Sequence, residues 1–231
     1  MNNPLRLPEA ILRRVDPARL ERDALGRSDA QVFDAGGRFL KIAPRGQLER
    51  AAAMQEYFAR KGLSAPLIAF ERDEARDYLL VEALPGKNAC RWMDDPAWLA
   101  AAIGEAVRAL HGTDAAGCPL SDCNERAVEA FARETGAPFG GDLSLLKKDA
   151  LTHGDCCLPN IFFEEGRFSG FIDLGDAGLG DRHFDLCWAL WSLEYNLKTP
   201  AYNDRLLDAY GRDAVDGARL GLCGRLSLWD K

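Results

Sequence analysis

The chain has 231 residues, a formal net charge of -7 with histidine neutral, and 47% hydrophobic against 28% charged residues. That length can bury a substantial core as one large domain or two small lobes sharing a cleft. The acidic balance, with a pI near 5.1, weighs against nucleic acid or an anionic membrane as partner and suits a cationic small molecule. The start, "MNNPLRLPEAILRRVDP", has no basic region followed by a long apolar run, and no later segment nears the roughly 18 apolar residues of a membrane span, so the chain reads as cytoplasmic. Seven cysteines, an odd count with Cys156 and Cys157 adjacent, fit neither a disulfide framework nor paired zinc knuckles and read as reduced thiols in the core. His111, His153 and His183 are too scattered for a zinc site.

Taken in order, "PEAILRRV" reads as a short helix. In "AQVFDAGGRFLKIA", two β-prone runs flank Gly36-Gly37, a hairpin whose glycines accept positive φ. "QLERAAAMQEYFARKG" is helical and closes at Gly62. "APLIAFERD" and "ARDYLLVEALPG" are two further strands, broken off by Pro85-Gly86. Strand, strand, helix, strand, strand is not βαβ alternation; it describes a small antiparallel sheet with one packed helix. Beyond residue 86 helices dominate: "DPAWLAAAIGEAVRALHGTD", with Asp95 as N-cap and Pro96 in its first turn, then "CNERAVEAFARETG", "HFDLCWALWSLEYNL" and "NDRLLDAYG". The expectation is an α+β chain with a boundary near 84 to 90.

Chemistry gathers in "LTHGDCCLPNIFFEEGRFSGFIDLGDAGLGD", residues 151 to 181. Asp155 and Asn160 stand five positions apart, the spacing between base and metal-binding Asn in a protein-kinase catalytic loop. Asp173 follows at the end of the apolar run "FSGFID", after a turn at 164 to 166. Phosphoryl transfer needs a carboxylate beside the acceptor hydroxyl and hard oxygen ligands for Mg²⁺ on the nucleotide phosphates, and one hairpin can deliver all three. His153 is expected to orient the loop rather than move a proton. Lys41, alone between Leu40 and Ile42 in an apolar strand, must find an anion or reach water.

"HGDCCLPN" followed by "FIDLGDAGLGDRHFDL" resembles the aminoglycoside 3'-phosphotransferases, the kanamycin and neomycin kinases, whose pattern is HGDxxxxN and then IDxGxxGxxDxxxD. "GRSDAQVF", "YLLVEALPG" and "RALHGTDAAGCPL" resemble that family's nucleotide loop, hinge and first C-lobe helix. The resemblance implies a protein-kinase-like two-lobe fold, with a nucleotide-binding N-lobe at 1–84 and a helical catalytic and substrate-binding C-lobe at 85–231. It also implies transfer of the γ-phosphate of ATP or GTP, with Mg²⁺, to an antibiotic hydroxyl. On it, Asp155 falls on the catalytic base and Asn160 and Asp173 on the metal ligands. Lys41 falls on the lysine that grips the α and β phosphates, and Gly26 and Ser28 lie near those phosphates. A polycationic substrate would be held by several carboxylates, for which Asp155, Glu194 and Asp230 are the candidates. No nucleic acid or membrane partner is expected, and the chain should be a monomer or weak dimer.

Three positions depart from the family. Ala51 stands where its first helix has the Glu that pairs with the strand lysine, and Glu49 lies about 200° around the helix from that place. Asp176 replaces the Arg that follows IDxG, and only 32 residues, 121 to 152, lie between Leu120 and His153. These leave open a kinase for another small hydroxyl compound, or a nucleotide-binding protein of the same fold with little catalysis.

Overall fold

Alternation of apolar and polar residues builds the first part of the chain. The computed structural model describes residues 6–23 and 30–228; Gly26, Ser28 and Asp230 fall outside them. The chain divides into two units, Met1–Leu84 and Pro85–Lys231.

The first unit holds strands β1 (Glu21–Asp23), β2 (Gln31–Asp34), β3 (Arg38–Pro44), β4 (Leu67–Arg72) and β5 (Arg76–Glu82) in one antiparallel sheet of order β1-β2-β3-β5-β4. One strand, β1, was not foreseen: three residues are too few to show a period. The β2–β3 turn runs through Gly36 and Gly37 at φ 72 and 86°, as the hairpin reading required. Each face of the sheet has its own cover. Leu40 and Ile42 on β3 pair with Leu80 and Tyr78 on β5 and pack under Leu7, Ile11 and Val15 of the segment around helix α1 (Glu9–Leu12). The opposite face carries Ala43 and Leu79, packed against Leu48, Ala51 and Ala52 at the start of helix α2 (Glu49–Arg60).

Lys41 is opposite Leu79 in the ladder and two residues from Ala43, which places it on the face that α2 covers. Asp77, fully buried on β5, fixes where that helix begins: its Oδ2 accepts the N–H of Gly46 and of Leu48, at 2.8 and 3.0 Å, while Arg72 Nε donates to its Oδ1 at 2.6 Å. Burial pushes the Asp77 carboxyl up, but Arg72 and the two backbone N–H groups outweigh it and hold it below the usual carboxylate range.

The second unit is built on α3 (Pro96–His111), α4 (Cys123–Thr135), α5 (His183–Leu197), α6 (Asn203–Tyr210) and α7 (Gly217–Leu226). Asp95 caps α3 by accepting the Trp98 N–H at 3.1 Å, with Pro96 in the first turn. The unit also holds two small antiparallel sheets, β6-β8-β9 (Lys87–Asn88, Ile161–Glu164, Arg167–Phe171) and β7-β10 (Ala150–Thr152, Gly178–Gly180). Phe184, Cys187, Leu222, Cys223 and Leu226 join α5 to α7, with Val128 and Phe131 of α4 packed against them. All seven cysteines are free, three of them buried. No helix among the described residues is long and apolar enough to cross a membrane.

Candidate active site

Two loops are set face to face by the ladders that flank them. On one side β7 pairs with β10, Thr152 opposite Gly178. On the other, β8 pairs with β9, Ile161 opposite Phe171, through a two-residue turn whose Glu165 and Gly166 both have positive φ, 49 and 76°. Loop 153–160 leaves one pair for the other, loop 172–177 returns, and each therefore runs beside its partner.

The hydrogen bonds between them are specific. His153, fully buried, donates from Nε2 to the Ile172 carbonyl at 2.9 Å and accepts the Asp155 N–H on Nδ1 at 3.2 Å. Those two bonds use both ring nitrogens to tie loop 153–160 to Ile172, so His153 orients the loop. The Ile172 N–H returns a bond to the Asn160 carbonyl at 3.0 Å. Asn160 Nδ2 donates to the Asp155 carbonyl and to Asp155 Oδ2, both at 3.0 Å. With its amide hydrogens so used, Asn160 presents its amide oxygen as the group able to ligate. Gly154, at φ +84°, is where the loops come closest: a Cβ there would lie 2.3 Å from the Asp176 carbonyl oxygen.

Asp173 itself adopts left-handed φ 60°, ψ 61° just beyond β9. Aspartate is among the few non-glycine residues that adopt this conformation readily, and here it leaves the Asp173 carboxylate exposed. Among the described residues no three His, Cys, Asp or Glu side chains group as a metal cage would. Asn160 and Asp173 offer two hard oxygens. That set fits Mg²⁺ carried on phosphates, which completes its shell with phosphate and water oxygens.

Sequence reasoning did not identify what anchors loop 153–160. Asp185, fully buried on α5, accepts the His153 N–H on Oδ2 and the Gly154 N–H on Oδ1, both at 2.8 Å. His111, at the end of α3, reaches the same Oδ2 through Nε2 at 3.1 Å, and its Nδ1 meets the Tyr210 hydroxyl of α6 at 2.9 Å. Burial raises the Asp185 pKa, yet His111 and the His153 N–H outweigh it and the carboxyl stays below its ordinary range. Both residues stood in the quoted segments, Asp185 as the last letter of IDxGxxGxxDxxxD; their contact, 74 positions apart, gave no local signal.

A second buried carboxylate, Asp181, holds the returning chain. It accepts from the N–H groups of Lys147 and His183, from His183 Nδ1 and from Arg219 Nε, at 2.8 to 3.0 Å. Burial raises its pKa and these donors lower it further, to about 2. Asp176, which stands where the resemblance expects an Arg, is paired with Arg126 of α4 at 2.8 Å.

Of the other candidates, Glu194 is half-buried on α5, where its Oε2 accepts from Asn203 Nδ2 at 3.3 Å. Glu49, on α2, pairs with Arg72 at 3.3 Å. Cys156 and Cys157 flank the site as protonated thiols, their pKa pushed up by burial and by the neighbouring Asp185 and Asp155.

Residues 19–222 match the family described as "Phosphotransferase enzyme family". The chain is 36% identical to a probable aminoglycoside 3'-phosphotransferase of Lactococcus lactis subsp. lactis, over 95% of its own length and 93% of the relative's. Among solved structures, it matches an aminoglycoside-3'-phosphotransferase of type VIII with a TM-score of 0.71 at 24% identity, covering 91% of this chain and 94% of the other. It matches an aminoglycoside phosphotransferase of Streptomyces rimosus, in complex with ADP and streptomycin, with a TM-score of 0.70 at 22% identity, covering 93% of each. At those identities the structural likeness carries the fold, an α+β protein-kinase-like one.

Proposed function

Because the chain belongs to the phosphotransferase enzyme family, we propose that it moves the γ-phosphate of a nucleoside triphosphate to a hydroxyl of an aminoglycoside, a reaction that inactivates the antibiotic. The observation that carries this reading is the paired-loop arrangement in which His153 and Asn160 tie Asp155 to the segment bearing Asp173. The 36% identical relative, a probable aminoglycoside 3'-phosphotransferase, supports the 3'-hydroxyl as acceptor.

Asp155 keeps one carboxylate oxygen on Asn160 Nδ2, so the other is left to aim the acceptor O–H and take its proton as the acceptor oxygen gains the phosphoryl group. Asn160 and Asp173 would hold Mg²⁺, and Lys41, with Gly26 and Ser28, would hold the phosphates. When bound, the Mg²⁺-nucleotide supplies the phosphoryl group and the positive charge that offsets its oxygens. Glu194 and Asp230 bind substrate ammonium groups. The enzyme works in the cytoplasm as a monomer or weak dimer, with ATP or GTP as donor.

The test is ADP release with Mg-ATP across aminoglycosides that carry or lack a 3'-hydroxyl. Turnover confined to those that carry it is expected. Turnover of a small amino alcohol with no aminoglycoside accepted would overturn the substrate assignment in favour of another small-molecule kinase.

A further inference from the structure

Loop 172–177 is gripped from two sides. On its inner side the Asp176 carbonyl meets Gly154, where a Cβ would come within 2.3 Å of the oxygen and 2.9 Å of the Asp176 Cβ. On its outer side, residues 120–126, at the entry to α4, run along the returning chain from Asp176 to Asp181. The Leu120 carbonyl accepts the Leu179 N–H at 2.8 Å, Asn124 Oδ1 accepts the Asp181 N–H at 2.8 Å, and the Cys123 thiol donates to the Asp176 carbonyl at 3.5 Å. The two segments are in close contact: a Cβ at 178 would lie 2.8 Å from Cys123 Sγ and 2.9 Å from the Leu120 carbonyl, and one at 180 would lie 2.9 Å from Cys123 Cβ.

One further contact is charged. Arg126, one turn into α4, donates from a terminal guanidinium nitrogen to Asp176 Oδ1 at 2.8 Å. The direction of this pair is particular to the chain: the resemblance puts an Arg at 176, whereas here the loop carries the carboxylate and α4 the guanidinium. The side chains are 41 and 60% exposed, so the pair adds little to global stability. A thiol is a weak donor and a charge-assisted N–H a strong one, which makes Arg126 the firmer of the two ties on residue 176.

Resting on the function proposed above, we infer that Arg126 is a positioning residue for phosphoryl transfer: by tying Asp176 to α4 it keeps loop 172–177 seated on Gly154 and so fixes Asp155 relative to Asp173. Gly154 immediately precedes Asp155, and Asp173 lies three residues before Asp176, so a retreat of residue 176 toward solvent alters both halves of the site at once. Inward movement is blocked by Gly154; outward movement is what the guanidinium opposes. A displacement of about an ångström is enough to cost roughly 10² in rate, so a contact of small weight in folding can carry a large share of kcat.

The experiment compares wild type, Arg126→Met, Arg126→Lys, Asp176→Ala and the double variant Arg126→Met with Asp176→Ala. It reads kcat and KM for kanamycin with Mg-ATP, the urea midpoint, and amide hydrogen exchange by mass spectrometry over loops 153–160 and 172–177. Arg126→Met is expected to lower kcat about 5- to 50-fold with the kanamycin KM within about twofold. It should also quicken exchange in both loops about tenfold, with the urea midpoint and the exchange of β8 near wild type. Arg126→Lys should keep most of kcat, and with Asp176 already replaced by Ala the Arg126→Met change should cost no more than about twofold further. Wild-type kcat and wild-type exchange in Arg126→Met, or a full further loss of kcat in the Asp176→Ala background, would overturn the assignment. A wild type that phosphorylates no aminoglycoside would remove the proposed function, while the exchange rates still decide whether Arg126 holds the loop.

Discussion

Asp155 owes its position to groups that never touch a substrate, and Gly154 is the tightest of them. Alanine at 154 would face both a φ of +84° and a Cβ 2.3 Å from the Asp176 carbonyl. A left-handed alanine costs roughly 1–2 kcal/mol, and a catalytic group moved by an ångström can lose about 10² in rate. Gly154→Ala is therefore expected to lower both Tm and kcat, with the kcat loss persisting at temperatures where circular dichroism reports the variant fully folded. Asp173→Ala separates metal binding from base chemistry: Mg-nucleotide affinity and kcat should fall together by about 10–100-fold or more, and isothermal titration at several Mg²⁺ concentrations should show the Mg²⁺ dependence weakened. At this scale the sequence was most legible where residues lie close in the chain. Asp155, Asn160 and Asp173 stood out as candidates by their spacing, because the β8–β9 hairpin and the loops at its ends keep them close in the chain. The Asp185–His111 contact did not, because the two groups meet only once α3 and α5 have packed.

Helix α2 poses the clearest problem at the scale of elements. Its register, set by Asp77 at the Leu48 N–H, turns Ala51 onto the sheet face that carries Lys41. Ala51 thus lies on the covered face where the resemblance to the family would put a carboxylate. A Glu at 51 enters a site only 5% exposed, where a lone carboxylate is expensive and a paired one is not. Ala51→Glu should lower the KM for nucleotide several-fold by adding a carboxylate to the sheet face that carries Lys41. Combined with Lys41→Met, the same substitution should cost roughly 3–5 kcal/mol more of stability than the sum of the two single changes, read from urea denaturation as a double-mutant cycle. Additive stabilities would show that residue 51 and Lys41 do not meet. Helices α2 and α3 were readable from their apolar residues and caps, and α5 from its long apolar run. Helix α7 was not, since Gly217, Gly221 and Gly224 within ten residues depress helix propensity and its packing against α5 decides the matter. Strands β1, β7 and β10 have three residues each and exist through their ladders alone.

For the molecule as a whole, buried carboxylates that hold loops make stability depend on acid pH. Asp181, fully buried with its pKa lowered to about 2 from an ordinary 3.8, stabilises the fold at every pH above about 4, and that contribution is lost as pH falls from 4 toward 2. The shift corresponds to roughly 2 kcal/mol. Asp181→Asn should lower the urea midpoint at pH 7 and flatten its decline between pH 4 and 2; an acid limb as steep as the wild type's would mean that other carboxylates carry it. The two-unit division and the α+β class were legible early, because the chain changes from alternating strands to helices at Pro85-Gly86. The substrate candidates were less so, because Glu194 is one acidic residue among many and no local pattern sets it apart. The central claim is that Asp155 directs a hydroxyl toward the γ-phosphate of a nucleotide held by other residues. Mass spectrometry of kanamycin incubated with Mg-ATP and either wild-type or Asp155→Ala protein, with Mg-ATP affinity measured on both, tests it most directly. The account predicts a product heavier by one phosphoryl group, formed about 10² to 10⁴ times more slowly by the variant, with nucleotide affinity within a few-fold of wild type. Product formed at a near-normal rate by Asp155→Ala would contradict it.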